Sequence, residues 1–304
     1  MRPIPRALFG IMFTLALAMC AAPPTTASPT PPPPSSGLTL AVLGTENFYA
    51  DLLAQIGGSR VTVSSLLNDP NADQHEFEAS PQAAKLVADA KLVIVNDIGY
   101  DDFMQKLLAA STKPDRVVIN VKDVLGVKDD VNAHVWYDPQ TMPKVADAAT
   151  AALSKLDPQN TAYFAAQRAK YLAAFTPITA KIAALKSTYA GTPVAFTEPV
   201  AGYLTEAIGL VVKTPEGFQR ASEQGTDPAP ADVAAERDLL TGKKVKVLLY
   251  NSQVTSPLTA GIRTLAETSG VPVVGVAETI PAEFRTFQEW MLSQLDALEK
   301  ALAK

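Results

Sequence analysis

From Leu38 onward, short apolar runs alternate with amphipathic stretches. The runs at 38–43, 61–65, 92–96 and 117–121 are rich in Val, Leu and Ile and have the length of strands buried on both faces. Between and after them, 47–56, 81–90, 101–110 and 139–155 read as helices. Strands separated by helices of roughly ten residues predict βα units and a parallel sheet. After a long interruption the rhythm resumes, with strands predicted at 194–197, 210–213, 245–250 and 271–276 and helices at 200–207, 229–240, 257–269 and 284–303.

The interruption, 157–190, carries Tyr163, Phe164, Arg168, Tyr171, Leu172, Phe175, Ile178, Ile182 and Leu185, mostly three or four residues apart. That spacing predicts one long helix, started by Asp157 as N-cap with Pro158 at the first helical position. Pro177 should bend or loosen it. The predicted fold class is α/β: two βα lobes with parallel sheets, 38–156 and 191–304, joined by one long rigid helix, with any metal site in the cleft between them.

Arg2 and Arg6 precede an apolar run, 7–19, too short for a permanent membrane span, so 1–19 reads as a secretory signal peptide. Cys20 closes Leu17-Ala18-Met19-Cys20, which resembles a bacterial lipobox and implies lipidation of Cys20. Met19 stands where such a motif usually has Gly, Ala or Ser, and an ordinary cleaved signal with an incidental cysteine is the alternative. Residues 20–37 are rich in Pro, Thr and Ser and read as a semi-rigid polyproline II linker. Anchor, spacer and globular body predict a protein exported and tethered to the outer face of the cell membrane, or periplasmic.

Composition narrows the chemistry. Of 304 residues, 47% are hydrophobic and 19% charged, enough for a sizeable core. The net charge of -5 argues against a nucleic-acid partner, which would need a basic face. A single cysteine excludes an intramolecular disulfide and any cysteine-built zinc or iron–sulfur site. There are two histidines, so imidazole chemistry must use His75 or His134.

Parallel α/β sheets bind ligands beyond the carboxyl ends of their strands. His75 follows the second predicted strand and His134 the fourth, while Glu198 and Glu278 follow strands ending at Thr197 and Val276. These four would make a mixed nitrogen–oxygen site for a divalent transition metal. Pattern alone leaves plainer readings open: solvated loop histidines, and carboxylates placed near helix N-termini, where the dipole favours them.

Asp73-Gln74-His75-Glu76-Phe77-Glu78-Ala79-Ser80-Pro81 resembles the first histidine motif of the zinc/manganese solute-binding lipoproteins of ABC importers, the cluster A-I family. Asn96-Asp97-Ile98-Gly99-Tyr100 is similar to that family's turn after the third strand, and Asn132-Ala133-His134-Val135-Trp136-Tyr137-Asp138-Pro139 to its second histidine motif. The resemblance implies His75, His134, Glu198 and Glu278 as ligands of one ion. Glu198 stands where zinc-dedicated relatives often have His, and Glu278 where Asp is common. Ligand softness and the lack of a His-rich loop leave zinc and manganese both open. The resemblance further implies a monomeric, non-enzymatic protein that captures the ion and hands it to a membrane permease. A metal-dependent hydrolase, with Glu76 as a base, and a cell-surface adhesin are the rival readings.

Overall fold

The computed structural model describes residues 1, 39–69, 77–128 and 131–304. The expected signal segment, Cys20, the proline-rich linker and His75 all lie outside the described residues.

In the first lobe, β1 (Leu40–Glu46), β2 (Val61–Leu67), β3 (Leu92–Val95) and β4 (Val117–Asn120) pair in parallel in the order β2-β1-β3-β4. Their connections are α1 (Asn47–Gly57), α2 (Pro81–Asp89) and α3 (Phe103–Ala110), followed after β4 by α4 (Val121–Leu125) and α5 (Thr141–Leu156). The chain turns from β1 into α1 without a loop, which brings the α1 backbone against Gly44. A Cβ there would meet the Ala50 nitrogen at 2.2 Å, so only glycine fits. Ser80 caps α2 by accepting from the Ala83 amide at 3.1 Å, with Pro81 opening the first turn.

The segment expected as one rigid connecting helix is divided. Pro158–Asn160 forms a 3₁₀ turn behind Asp157, followed by α6 (Thr161–Ala173) and α7 (Thr176–Tyr189). Pro177 explains the break, because it has no amide hydrogen for the carbonyl four residues back, that of Ala173, and its ring crowds that carbonyl. The two halves serve different lobes: α6 packs on α1 and α5, and α7 on two helices of the second lobe.

That second lobe repeats the first lobe's topology. Strands β5 (Pro193–Phe196), β6 (Val211–Val212), β7 (Leu248–Asn251) and β8 (Val273–Val276) are parallel in the order β6-β5-β7-β8. The helices are α8 (Gly202–Ile208), α9 (Glu216–Glu223), α10 (Pro230–Thr241), α11 (Pro257–Ser269) and α12 (Phe287–Leu302), with α7 lying against α8 and α12. A capping box of Ser256 and Thr259 starts α11, and Thr286 caps α12.

Residues 37–304 form one compact unit, and one apolar cluster runs through both lobes. Phe48 stacks on Trp136 at 4.6 Å and approaches Phe287 at 6.5 Å, and Tyr137 meets Trp290 edge-on at 5.9 Å. Each such pair contributes about 0.5–1.5 kcal/mol beyond the area it buries. Polar ties cross the same boundary. The Asn47 amide donates to the Ile280 carbonyl and accepts from the Ile280 N–H, both at 2.9 Å. The Asp51 carboxylate accepts from the Phe287 amide at 2.9 Å. Among the described residues, no helix is long and apolar enough to cross a membrane.

Candidate metal centre

Both sheets turn their carboxyl edges to the same boundary between the lobes. Just past β3, Asp97, Ile98 and Gly99 take φ of 58°, 59° and 78° in succession. Left-handed backbone is costly for a β-branched residue such as Ile98, so something must hold the turn. Asp101 does so: its carboxylate accepts from the Asn96 amide at 2.9 Å and the Asp97 amide at 2.6 Å. Asn96 donates to the Ala133 carbonyl at 3.0 Å and accepts from the Tyr49 hydroxyl at 2.7 Å, which ties this turn to the loop bearing His134. The result is that Tyr100 crosses the boundary and donates to Glu278 Oε2 at 2.7 Å.

His134 is fully buried at the start of the 3₁₀ turn Val135–Tyr137. Its Nδ1 lies 2.7 Å from Asn132 Oδ1, and its backbone N–H donates to the same oxygen at 3.0 Å. The other amide atom of Asn132 donates to the Pro199 carbonyl at 2.7 Å, so Oδ1 is fixed as the acceptor. Nδ1 therefore carries the hydrogen, and the lone pair of neutral His134 is on Nε2. Among the described residues Nε2 makes no hydrogen bond, and it faces Glu278 Oε2 at 3.4 Å. Two electron-rich atoms held that close in a buried pocket can share a cation, whether a proton or a metal ion.

Glu198 and Glu278 are also buried, and Asn251 stands between them. Its amide nitrogen donates to Glu198 Oε2 and to Glu278 Oε1, each at 2.7 Å. Strand order sets this up: β7, which ends in Asn251, lies between β5, which leads to Glu198, and β8, which leads to Glu278. An open cavity of about 770 Å³, lined in part by Tyr100, Asn132, Pro199, Arg220 and Glu223, adjoins the cluster.

Behind Tyr100 lies a buried acid pair, Glu46 and Asp101. Burial pushes Glu46 well above the ordinary carboxyl range, with the Asp101 charge adding to the rise. Burial likewise lifts Asp101 to about 6 against the two amide hydrogen bonds it accepts. The Tyr100 hydroxyl is raised first by burial and then by the Glu278 charge, so it acts as a donor.

Of the residues singled out in the sequence, His134 and Glu278 meet directly, and Glu198 joins Glu278 through Asn251. Among the described residues, no group of three His, Cys, Asp or Glu side chains converges on one ion. Sequence reasoning missed Tyr100 and Asn251 as members of the cluster. The strand-end rule would have reached Asn251 had neutral amides been weighed alongside acids.

Two parallel α/β lobes meeting over a histidine–carboxylate cluster define the architecture of a two-lobe solute-binding protein. In solved structures the fold is similar to the periplasmic zinc-binding protein TroA of Treponema pallidum (TM-score 0.74, 18% identity, 88% of this chain and 100% of that one). It is also similar to the binding protein FpvC of Pseudomonas aeruginosa in complex with Mn²⁺ (TM-score 0.72, 21% identity, 88% and 99%). In sequence the chain is 25% identical over 139 residues to the manganese-binding lipoprotein MntA of Halalkalibacterium halodurans, covering 45% of this chain and 46% of that protein. The curated relatives that it matches align over 34–61% of their own length. The chain belongs to the family described as ZnuA, zinc-uptake complex component A, periplasmic, whose profile matches residues 42–301.

Proposed function

We propose that this protein is the extracytoplasmic solute-binding component of an ABC importer, which captures one zinc or manganese ion and delivers it to a membrane permease. The observation that carries this reading is the His134 Nε2 lone pair facing Glu278 Oε2 at 3.4 Å across the boundary between the lobes. An ion there takes a nitrogen from the first lobe and oxygen from the second. Glu198 is the second oxygen ligand and His75 the second nitrogen ligand of the proposed set. The ion is cargo, so the site needs tight but reversible ligation and no bond-making step. Binding that spans both lobes stabilises their closed arrangement by mass action. Membership in a metal-uptake family favours this reading over a hydrolase.

Elemental analysis of the purified protein, stripped and then reloaded from a mixed metal bath, tests it. One equivalent of zinc or manganese per chain is expected in the wild type, with loss of tight loading in His134→Ala and retention of its circular dichroism spectrum. Loading of His134→Ala to one equivalent would overturn the ligand assignment. Tethering through Cys20 belongs to the same proposal. Cells fed a labelled fatty acid should label the wild type but not Cys20→Ala, and an unlabelled wild type would contradict the anchor.

A further inference from the structure

His134, Glu198 and Glu278 are sealed from solvent, yet the cavity of about 770 Å³ beside them is open. That cavity offers an ion its way in. Helix α9 forms one wall of it. The helix buries Phe218 and Ser222 on one side, while Glu216, Arg220 and Glu223, spaced by four and then three residues, share another face. All three line the cavity. Arg220 is paired with Glu216, so those two charges cancel. Among the described residues, Glu223 pairs with no lysine or arginine; the basic group it approaches is the imidazole of His134, with Oε1 3.7 Å from Nδ1. Asn132 Oδ1 already holds the hydrogen on that nitrogen at 2.7 Å, so the Glu223 carboxylate keeps its lone pairs for another partner. The Glu223 side chain is 25% exposed and that of His134 is 0% exposed, so the acid bridges solvent and the buried cluster.

We infer that Glu223 is the capture residue of the site, a carboxylate that draws the hydrated ion into the cavity and sets how fast the site loads. The inference rests on the reading of His134 and Glu278 as ligands, and it needs no particular count of further ligands. Glu223 meets the imidazole on its Nδ1 side, whereas the lone pair that faces Glu278 is on Nε2. An acid so placed meets the ion on its way in and is not among the atoms that hold it at the end. Uncancelled charge of one sign in a cleft with low-dielectric walls focuses the field and raises on-rates by about tenfold or more at low salt. Arg220 works on the same field with the opposite sign, because it neutralises Glu216.

Stopped-flow mixing of zinc with the full-length apo protein, in competition with a fluorescent zinc indicator, gives the on-rate, and a chelator chase gives the off-rate. Glu223→Gln should lower the on-rate by about tenfold at low salt, flatten its salt dependence and leave the off-rate within about twofold. Glu223→Asp, which keeps the charge, should retain the wild-type salt dependence. Arg220→Gln, which leaves Glu216 uncancelled, should raise the on-rate at low salt. An unchanged on-rate in Glu223→Gln would overturn the inference. So would a loss of affinity that resides in the off-rate, since Glu223 would then hold the ion or prop His134. A wild type that takes up no tight equivalent of zinc would sink the ligand reading itself, and the inference with it.

Discussion

At His134 the amide oxygen of Asn132 takes the Nδ1 hydrogen, so the remaining lone pair points across the cleft toward Glu278. Asn132 also reaches the Pro199 carbonyl beside Glu198, so one side chain orients the imidazole and ties down the opposing acid's loop. The scarcity of histidine and the strand-end rule pointed to His134, Glu198 and Glu278, which the structure brings to one boundary. Tyr100 and Asn251 were not legible in the sequence, because neutral polar residues are common at loop starts and their partners are distant in the chain. Carboxylates suit manganese better than imidazole does, so Glu198 should set how well manganese competes. Glu198→His should raise the zinc-to-manganese affinity ratio with one-to-one stoichiometry retained, and Glu278→Gln should weaken both metals, as measured by competition with a chromophoric chelator. An unchanged ratio in the first and unchanged affinity in the second would place both acids outside the coordination sphere.

Among the elements, the eight predicted strands recur in the structure with ends shifted by a few residues, because a run of Val, Leu and Ile between helices has few alternatives to a buried parallel strand. α9 escaped notice because its buried side is limited to Phe218 and Ser222, too little apolar periodicity to read. The division between α6 and α7 was only half legible: Pro177 marked the place, but the packing of each half on a different lobe depends on contacts far away in sequence. α10 carries a group with a measurable consequence. Glu236 is wholly buried, and burial pushes its carboxyl from about 4.5 to about 7 against a small lowering from the Thr214 side chain. The folded state therefore holds this proton more tightly than the unfolded chain does. Its contribution is fully present below about pH 4.5 and is lost as pH rises through about 7. The loss is of order 3 kcal/mol for a shift of this size. Glu236→Gln should remove that slope, so urea midpoints of the apo proteins should match near pH 4.5 and favour the variant at pH 8. A variant no more stable than the wild type at pH 8 would place Glu236 in a solvated or paired setting.

Over the whole molecule, the repeated topology is what makes a shared site possible. The two sheets share one strand order, β2-β1-β3-β4 and β6-β5-β7-β8, and the loops past their carboxyl edges meet where His134 and Tyr100 reach Glu278. The aromatic contacts of Phe48, Trp136, Phe287 and Trp290 hold the two edges together. The alternation of apolar runs revealed two lobes of one kind. It could not reveal that α12, at the end of the chain, packs back against α1 and closes the molecule, because that contact spans nearly the whole sequence. In the proposed function, a single ion is held by imidazoles of the first lobe and carboxylates of the second. Calorimetric titration of zinc into the wild type and into a His75→Ala, His134→Ala double variant tests it most directly. One tight equivalent is predicted for the wild type and none for the double variant, with both proteins folded; stoichiometric tight binding by the double variant would contradict it.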